Sequence, residues 1–412
     1  MNEWRQSTWG DEVTLEYGKA LRDYSDTVGS ARVFGTNGPI GWTDTALAPG
    51  PGVVLGRKGA YRGVHYSPEP FFVIDTAYYV APKAELEMRW LYYAIIHHEL
   101  GLIDDGSPIP STTRAAVYHR ALVVPSPAEQ RSIAGVLGAL DDKIEQNRKT
   151  AQVLERLVRA IFRAWFVDFE PVKAKAAGAT AFPSMPQPVF DALPTRFVDS
   201  AIGLVPEGWE VKAIGDVVTA KGGGTPRTKN ADYWDEGEHC WATPKDMSRL
   251  AHPVLLDTER RITDAGVGAI SSGVLPAGTV LMSSRAPVGY LAIAGVPTAI
   301  NQGFIAMVCD GPLPPTYVLN WAFASMEAIK AHASGTTFPE ISKKNFRPLP
   351  VVVPTPDVIA TYQQASDPLF DLLTACVKES EQLAAMRDYL LPKLLSGEVR
   401  VRDAERLIGT PA

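Results

Sequence analysis

Cysteine is scarce in this chain. Cys240, Cys309 and Cys376 are scattered, match no metal-ligand spacing, and are too few for a disulfide framework. Three isolated thiols fit a reducing cytoplasm, the expected location. Long hydrophobic runs are lacking as well. None approaches the roughly 20 residues that a membrane helix needs, and Met1-Asn2-Glu3-Trp4-Arg5 does not open a signal peptide. No membrane partner is therefore expected. Positive charge is not in excess: 40 Lys and Arg stand against 46 Asp and Glu, a net charge of −6. Composition gives no sign of a nucleic-acid binder, so any such surface must be made by local segregation of charge.

Complete catalytic motifs are also missing. His97-His98-Glu99 invites a metal reading, but two adjacent histidines point in different directions on a helix, and a zinc pair needs a spacing of four. Pro314-Pro315-Thr316-Tyr317 resembles an amino-methyltransferase loop without its leading Asn or Asp, since Leu313 stands there. A helix start explains the two prolines. Lys221-Gly222-Gly223-Gly224-Thr225-Pro226-Arg227-Thr228-Lys229 lacks the Gly-Lys-Ser/Thr ending of a nucleotide-binding loop. It reads either as a mobile surface loop or as a backbone-hugging phosphate contact with Arg227 and Lys229 supplying charge.

What is present is a duplication. With 412 residues, 46% apolar and 21% charged, the chain has the length of two or three domains and an ordinary globular balance. Ser126-Pro127-Ala128-Glu129 and Thr355-Pro356-Asp357 each open a long helix, the first with a capping box. Apolar positions then step by three and four through Leu140, Ile144, Asn147, Ala151, Leu154, Val158, Ile161 and Trp165. The second stripe runs Leu369, Leu373, Cys376, Ser380, Leu383, Arg387, Leu390 and Leu394. Each is a coiled-coil seam that buries only against another helix, with Asn147 and Ser380 as register-setting polar positions. The helix-pairing residues are thus Leu140, Ile144, Leu154, Ile161, Leu369, Leu373, Leu383 and Leu390. The seams share one offset: 140 + 229 = 369 and 161 + 229 = 390, and the same step takes Pro110 to Pro339, Arg114 to Lys343 and Pro125 to Pro354.

The predicted organisation is a first globular domain over 1–125, a long helix over 126–170 and a Pro- and Ala-rich linker over 171–200. A second domain follows over 201–354, then a long helix over 355–397 and a tail over 398–412. The fold class is mixed α/β: two similar globular domains joined by a long antiparallel two-helix coiled coil, as a pseudo-twofold internal repeat. A helix over Pro127 to about Phe166 spans roughly 60 Å. Pro368 costs about 3 kcal/mol inside a helix, so a kink or break is expected there, and Pro392 should bend the last turns.

Two short turns recur at matching places. Gly56-Arg57-Lys58-Gly59 ends the strand Val53-Val54-Leu55, and Ser283-Ser284-Arg285 follows Val280-Leu281-Met282. Ile300-Asn301-Gln302 is taken as the counterpart of Ile74-Asp75-Thr76. Arg forks suit guanine edges or phosphates, although an Arg salt-bridged at a strand end explains the same pattern. Tyr61, Tyr66, Trp234 and Trp241 read first as core packing.

These motifs, together with Trp241-Ala242-Thr243-Pro244-Lys245-Asp246-Met247, Ser283 to Gly289, Ile300 to Phe304 and Leu391-Pro392-Lys393-Leu394-Leu395-Ser396-Gly397, stand in one order along nearly the whole chain. In that order the sequence resembles the specificity subunits of type I restriction–modification enzymes. The resemblance implies two target recognition domains, each reading half of a bipartite asymmetric double-stranded DNA site. It implies helices that dock two methyltransferase subunits and restriction subunits. It also implies no catalysis and no cofactor in this chain, with S-adenosylmethionine, ATP and Mg in the partner subunits. Candidate DNA contacts are Arg57, Lys58, Tyr61 and Arg62 in the first copy. In the second they are Lys221, Thr225, Arg227, Lys229, Lys245, Ser283, Ser284, Arg285, Asn301, Gln302 and Lys343. Two other readings stay open from the sequence: a self-sufficient methyltransferase or nuclease with divergent motifs, and a stand-alone duplicated DNA-binding protein.

Overall fold

A computed structural model describes residues 4–103, 106, 109–335 and 339–409. Parts of the two expected loops, including Thr336, Thr337 and Phe338, lie outside the described residues, as do the first three and last three residues. The chain divides into two units. The first holds residues 1–145 and 381–412, and the second holds 146–380.

In the first unit, Arg5–Thr8 pairs antiparallel with Ala121–Val124. Four antiparallel strands follow in the spatial order Val13–Tyr17, Ala77–Pro82, Gly52–Gly56 and Val64–Ser67. A three-stranded sheet sets Ala31–Gly35 between antiparallel Gly38–Thr43 and parallel Phe71–Val73. Side chains alternate across a strand, and the central strand feeds two cores in that way. Val53 and Leu55 pack with Trp90, Leu91 and Ile95 of the helix Met88–His97, while Val54 packs with Phe34, Phe71 and Val73.

The second unit repeats this path. Glu210–Ala213 pairs antiparallel with Pro350–Val353. Thr219–Gly222, Phe304–Val308, Val280–Ser284 and Val288–Ala294 form the same antiparallel order, and Val254–Leu255 adds a parallel fifth strand. His239–Ala242 lies between antiparallel Arg261–Ile262 and parallel Thr298–Ile300. Val280 and Met282 feed one core and Leu281 another, the alternation seen at Val53, Leu55 and Val54. Leu55 pairs with Tyr78 and Met282 with Ile305, so the strands correspond at 55 + 227 = 282 and 78 + 227 = 305. At this offset Val73 matches Ile300, because Lys19 N donates to Val73 O as Gly224 N donates to Ile300 O. The pairing of Ile74 with Ile300 is therefore one residue out.

The long helices run over Pro127–Phe166 and Pro356–Ser396. Ser126 and Glu129 exchange hydrogen bonds at the first helix start, Glu129 N reaching Ser126 Oγ at 3.3 Å. In the second unit the two helices are antiparallel. Asn147 Nδ2 donates to Glu379 Oε2 at 2.7 Å, while Phe162, Trp165 and Phe166 ring Tyr362 at the other end. Ala151, Leu154, Leu373 and Cys376 are buried between these points, with Ile161 and Leu369 half-buried against them. In the first unit Leu140, Leu390 and Leu394 are buried together and Leu383 packs on them, while Ile144 is half-buried. Arg387, an odd residue for an apolar stripe, donates from Nη1 to Asp141 Oδ1 at 2.8 Å, and Tyr93 donates to Asp141 Oδ2 at 2.6 Å.

Three expectations are corrected. The second helix is not broken at Pro368: it runs on through Pro368 and Pro392, with Phe370 and Leu373 buried beside one and Leu390 and Leu394 beside the other. The segment taken as a linker holds the helices Glu170–Ala176 and Gln187–Ala192, whose Val172 and Phe190 enter the core. The tail forms a helix over Val401–Gly409 with Ala404 buried.

Candidate nucleic-acid interface

In both units the central strand leaves the sheet into a turn held by the same backbone bonds. Arg57 N donates to Thr76 O at 3.0 Å and Ser284 N to Gly303 O at 2.7 Å. Thr112 N donates to Arg57 O at 2.9 Å and Ile341 N to Ser284 O at 3.0 Å. Lys58 then bridges to Ser111, and Arg285 to Glu340. Arg57 and Ser284 are therefore equivalent, as are Lys58 and Arg285.

In the first unit Lys58 and Tyr61 are exposed, Tyr61 by 79%. The Arg57 guanidinium donates from Nη1 to Asp75 O at 3.3 Å and stacks 4.8 Å from the Tyr17 ring centroid. Arg114, which the motif reading passed over, lies 4.1 Å from the same centroid and donates from Nε to Leu15 O at 2.7 Å. Tyr17 packs on buried Tyr78, whose phenol burial pushes up to about 12. Both cations thus sit on a rigid aromatic shelf. The pairing of Arg114 with Lys343 in the 229-residue register was the signal that could have found it.

Arg62 is a correction. It is buried, donating to the carbonyls of Gly59, Gly101 and Ile103 and to Thr112 Oγ1. A buried guanidinium that spends its Nε and a donor on each Nη on the protein's own oxygens is a brace. Ser283 and Ser284 are corrections too. Ser283 Oγ donates to Pro287 O at 2.7 Å and accepts from Gly289 N and Tyr290 N, and both serines are buried.

In the second unit Arg285 is more than a third exposed, with Glu340 3.9 Å away. Lys343 is exposed, its Nζ 3.2 Å from where a Cβ on Gly222 would lie, and Lys221 on the same strand as Gly222 is exposed too. Thr225 donates its hydroxyl to the Gln302 carboxamide, and Asn301 Oδ1 accepts from Gly303 N at 2.8 Å. Arg227 and Lys229 are exposed. Lys245 is paired with Glu259, which also takes Arg249. These two cations hold the Glu259 carboxyl below its usual range.

The glycine-rich stretch is not a mobile loop. Gly224 N donates to Ile300 O at 3.0 Å, Trp241 Nε1 to Gly224 O at 3.1 Å, and Trp234 Nε1 to Arg227 O at 3.1 Å. A Cβ on Gly223 would fall 1.9 Å from Ile300 O, so this glycine admits the chain's own backbone and not a phosphate. Gly18 does the same in the first unit, 2.0 Å from Ile74 O.

The decoys resolve structurally. Pro315 opens the helix Pro315–Ala324, and buried Tyr317 donates to Val352 O. His97 and His98 are partly buried, which lowers both pKa values, and no cluster of metal-ligating residues occurs among the described residues.

A family model for the type I restriction modification DNA specificity domain matches residues 206–378. The chain is 37% identical over 165 residues to the type I restriction enzyme MjaIX specificity subunit of Methanocaldococcus jannaschii, covering 40% of this chain and 38% of that one. It is 26% identical over 376 residues to the HindI specificity subunit of Haemophilus influenzae, covering 80% and 81%. Over residues 206–378 the chain is thus similar to type I restriction–modification specificity subunits. The fold agrees: the crystal structure of the S subunit from M. genitalium superposes with a TM-score of 0.61 at 15% identity, over 95% of this chain and 96% of that one.

Proposed function

We propose that this chain is a type I restriction–modification specificity subunit and binds a bipartite, asymmetric double-stranded DNA sequence in the cytoplasm. The domain over 1–125 reads one half and the domain over 201–354 reads the other. The long helices over 126–170 and 355–397 dock two methyltransferase subunits, and restriction subunits join the assembly. S-adenosylmethionine, ATP and Mg belong to those partners.

One observation carries the reading. A single backbone path, built twice, brings a cation to the same strand-end position, Lys58 and Arg285, amid side chains that otherwise differ. Two similar supports with unlike surfaces suit two unlike half-sites. Exposed apolar residues on the helices favour docking: Val153 and Leu157 lie one turn apart and are 61% and 44% exposed, and Leu372 is 50% exposed.

Expression with and without this chain beside its modification subunits, followed by single-molecule sequencing of host DNA, tests the proposal. The expected result is a split, asymmetric motif methylated at adenine that vanishes without the chain. No such motif, with no complex formed, overturns it. Arg285→Ala should weaken binding through the second half-site alone, read by competition with half-site mutants, since one edge contact is worth about 1–3 kcal/mol.

A further inference from the structure

The cluster of Tyr17, Arg57 and Arg114 is a feature that DNA binding in general does not account for. Two guanidinium groups lie against one ring, Arg114 at 4.1 Å and Arg57 at 4.8 Å from the Tyr17 centroid. Arg114 is already employed, by Leu15 O and by Glu16 at 3.8 Å. Arg57 is different. No carboxylate pairs with it among the described residues, and beyond its hydrogen bonds to Asp75 O and the Tyr78 phenol it keeps further N–H donors of its five. Stacking on Tyr17 and Tyr78 sets its plane. The position is at a strand end, half-exposed, next to the exposed Lys58.

Resting on the recognition reading above, we infer that Arg57, held against Tyr17, whose ring Arg114 also packs on, reads the major-groove edge of a guanine in the first half-site. A planar fork matches guanine O6 and N7 together. A phosphate contact needs only charge, which a flexible lysine such as Lys58 supplies. Fixing the guanidinium before binding removes the rotamer freedom that would otherwise oppose a two-point contact. Tyr17 and Arg114 are positioning residues in this account. In the second unit the same places hold Gly222, buried Ser284 and Lys343, so this device serves one half-site only.

Selection of randomised duplexes by the chain in complex with its modification subunits tests the inference, with Arg57→Ala, Arg57→Lys and Tyr17→Leu beside the wild type. In Arg57→Ala one G·C column of one half-site loses about ten-fold or more in preference, and the other half-site is unchanged. Arg57→Lys retains affinity within a few-fold without restoring that column, and Tyr17→Leu loosens the same column in part. A uniform loss across all sequences with a shallower salt dependence makes Arg57 a phosphate contact and overturns the inference. So does an unchanged motif, or loss at an A·T column. If the wild type enriches no split motif, the recognition reading itself fails; if it does and Arg57→Ala matches it, only this inference fails. Unchanged melting of each variant confirms that the comparison is between folded proteins.

Discussion

At the end of the central strand the first unit presents Arg57, half-exposed on a tyrosine shelf, and the second presents Ser284, buried. The backbone around them is the same, down to the bonds from Thr112 N to Arg57 O and from Ile341 N to Ser284 O. The difference teaches where this fold stores its variability. Main-chain donors and acceptors hold the turn, so side chains there can change without loss of the support. The alternation of buried residues along Val53–Leu55 and Val280–Met282, by contrast, is tied to two cores at once and leaves little room for change.

The comparison can be broken at three places. The largest effect is expected in the helical pair. Leu373 and Leu390 are fully buried, one in each unit. Leu373→Asp and Leu390→Asp should each cost about 4 kcal/mol, since an unpaired charge is left buried. Thermal melting with hydrogen exchange should place the loss in the second and first unit respectively. Stability unchanged in either would refute the packing there.

A smaller effect tests equivalence. Gly18→Ala and Gly223→Ala each drive a methyl to within 2.0 Å of a carbonyl oxygen. Each should cost about 2–3 kcal/mol by overpacking, and denaturant midpoints should fall alike. A large loss at one site and none at the other would end the equivalence of the two strand ends.

The smallest effect is specific to the first unit. Glu12 accepts from both Nη atoms of Arg5 and from Ser7, and the Arg5 bonds hold its carboxyl below the usual value of 4.5. A depressed carboxylate stabilises the fold above about pH 4.5 and ceases to do so as pH falls through its folded value. Arg5 is more than half exposed, so the contribution is about 1 kcal/mol or less. Glu12→Gln should flatten the acid dependence of exchange protection along Arg5–Thr8. An unaltered acid profile would exclude the pair as its source.

Much of the architecture was legible because periodicity and capping are local signals. Ser126 with Glu129 marked one helix start, and the repeat offset exposed the duplication. The site was less legible. Arg57, Arg62, Ser283 and Arg285 look alike as polar residues after a strand, yet burial separates them, and burial depends on which distant segments arrive. Arg62 is filled by carbonyls from Gly101 and Ile103, 39 and 41 residues away, which no local pattern announces. Tyr17 and Arg114 lie 97 residues apart in sequence, by 114 − 17, and meet only through the sheet order. The Pro- and Ala-rich stretch after the first helix looked loose because composition does not record the neighbours of Val172 and Phe190.

Arg62 has one more effect. By clasping Gly59, Gly101, Ile103 and Thr112 at once it rivets three stretches of chain into a single piece. The finger that bears Lys58 therefore meets its target already set in shape, and the Thr112 hydroxyl, donating to the Leu100 carbonyl at 3.2 Å, ties the same piece to the end of the helix region behind it.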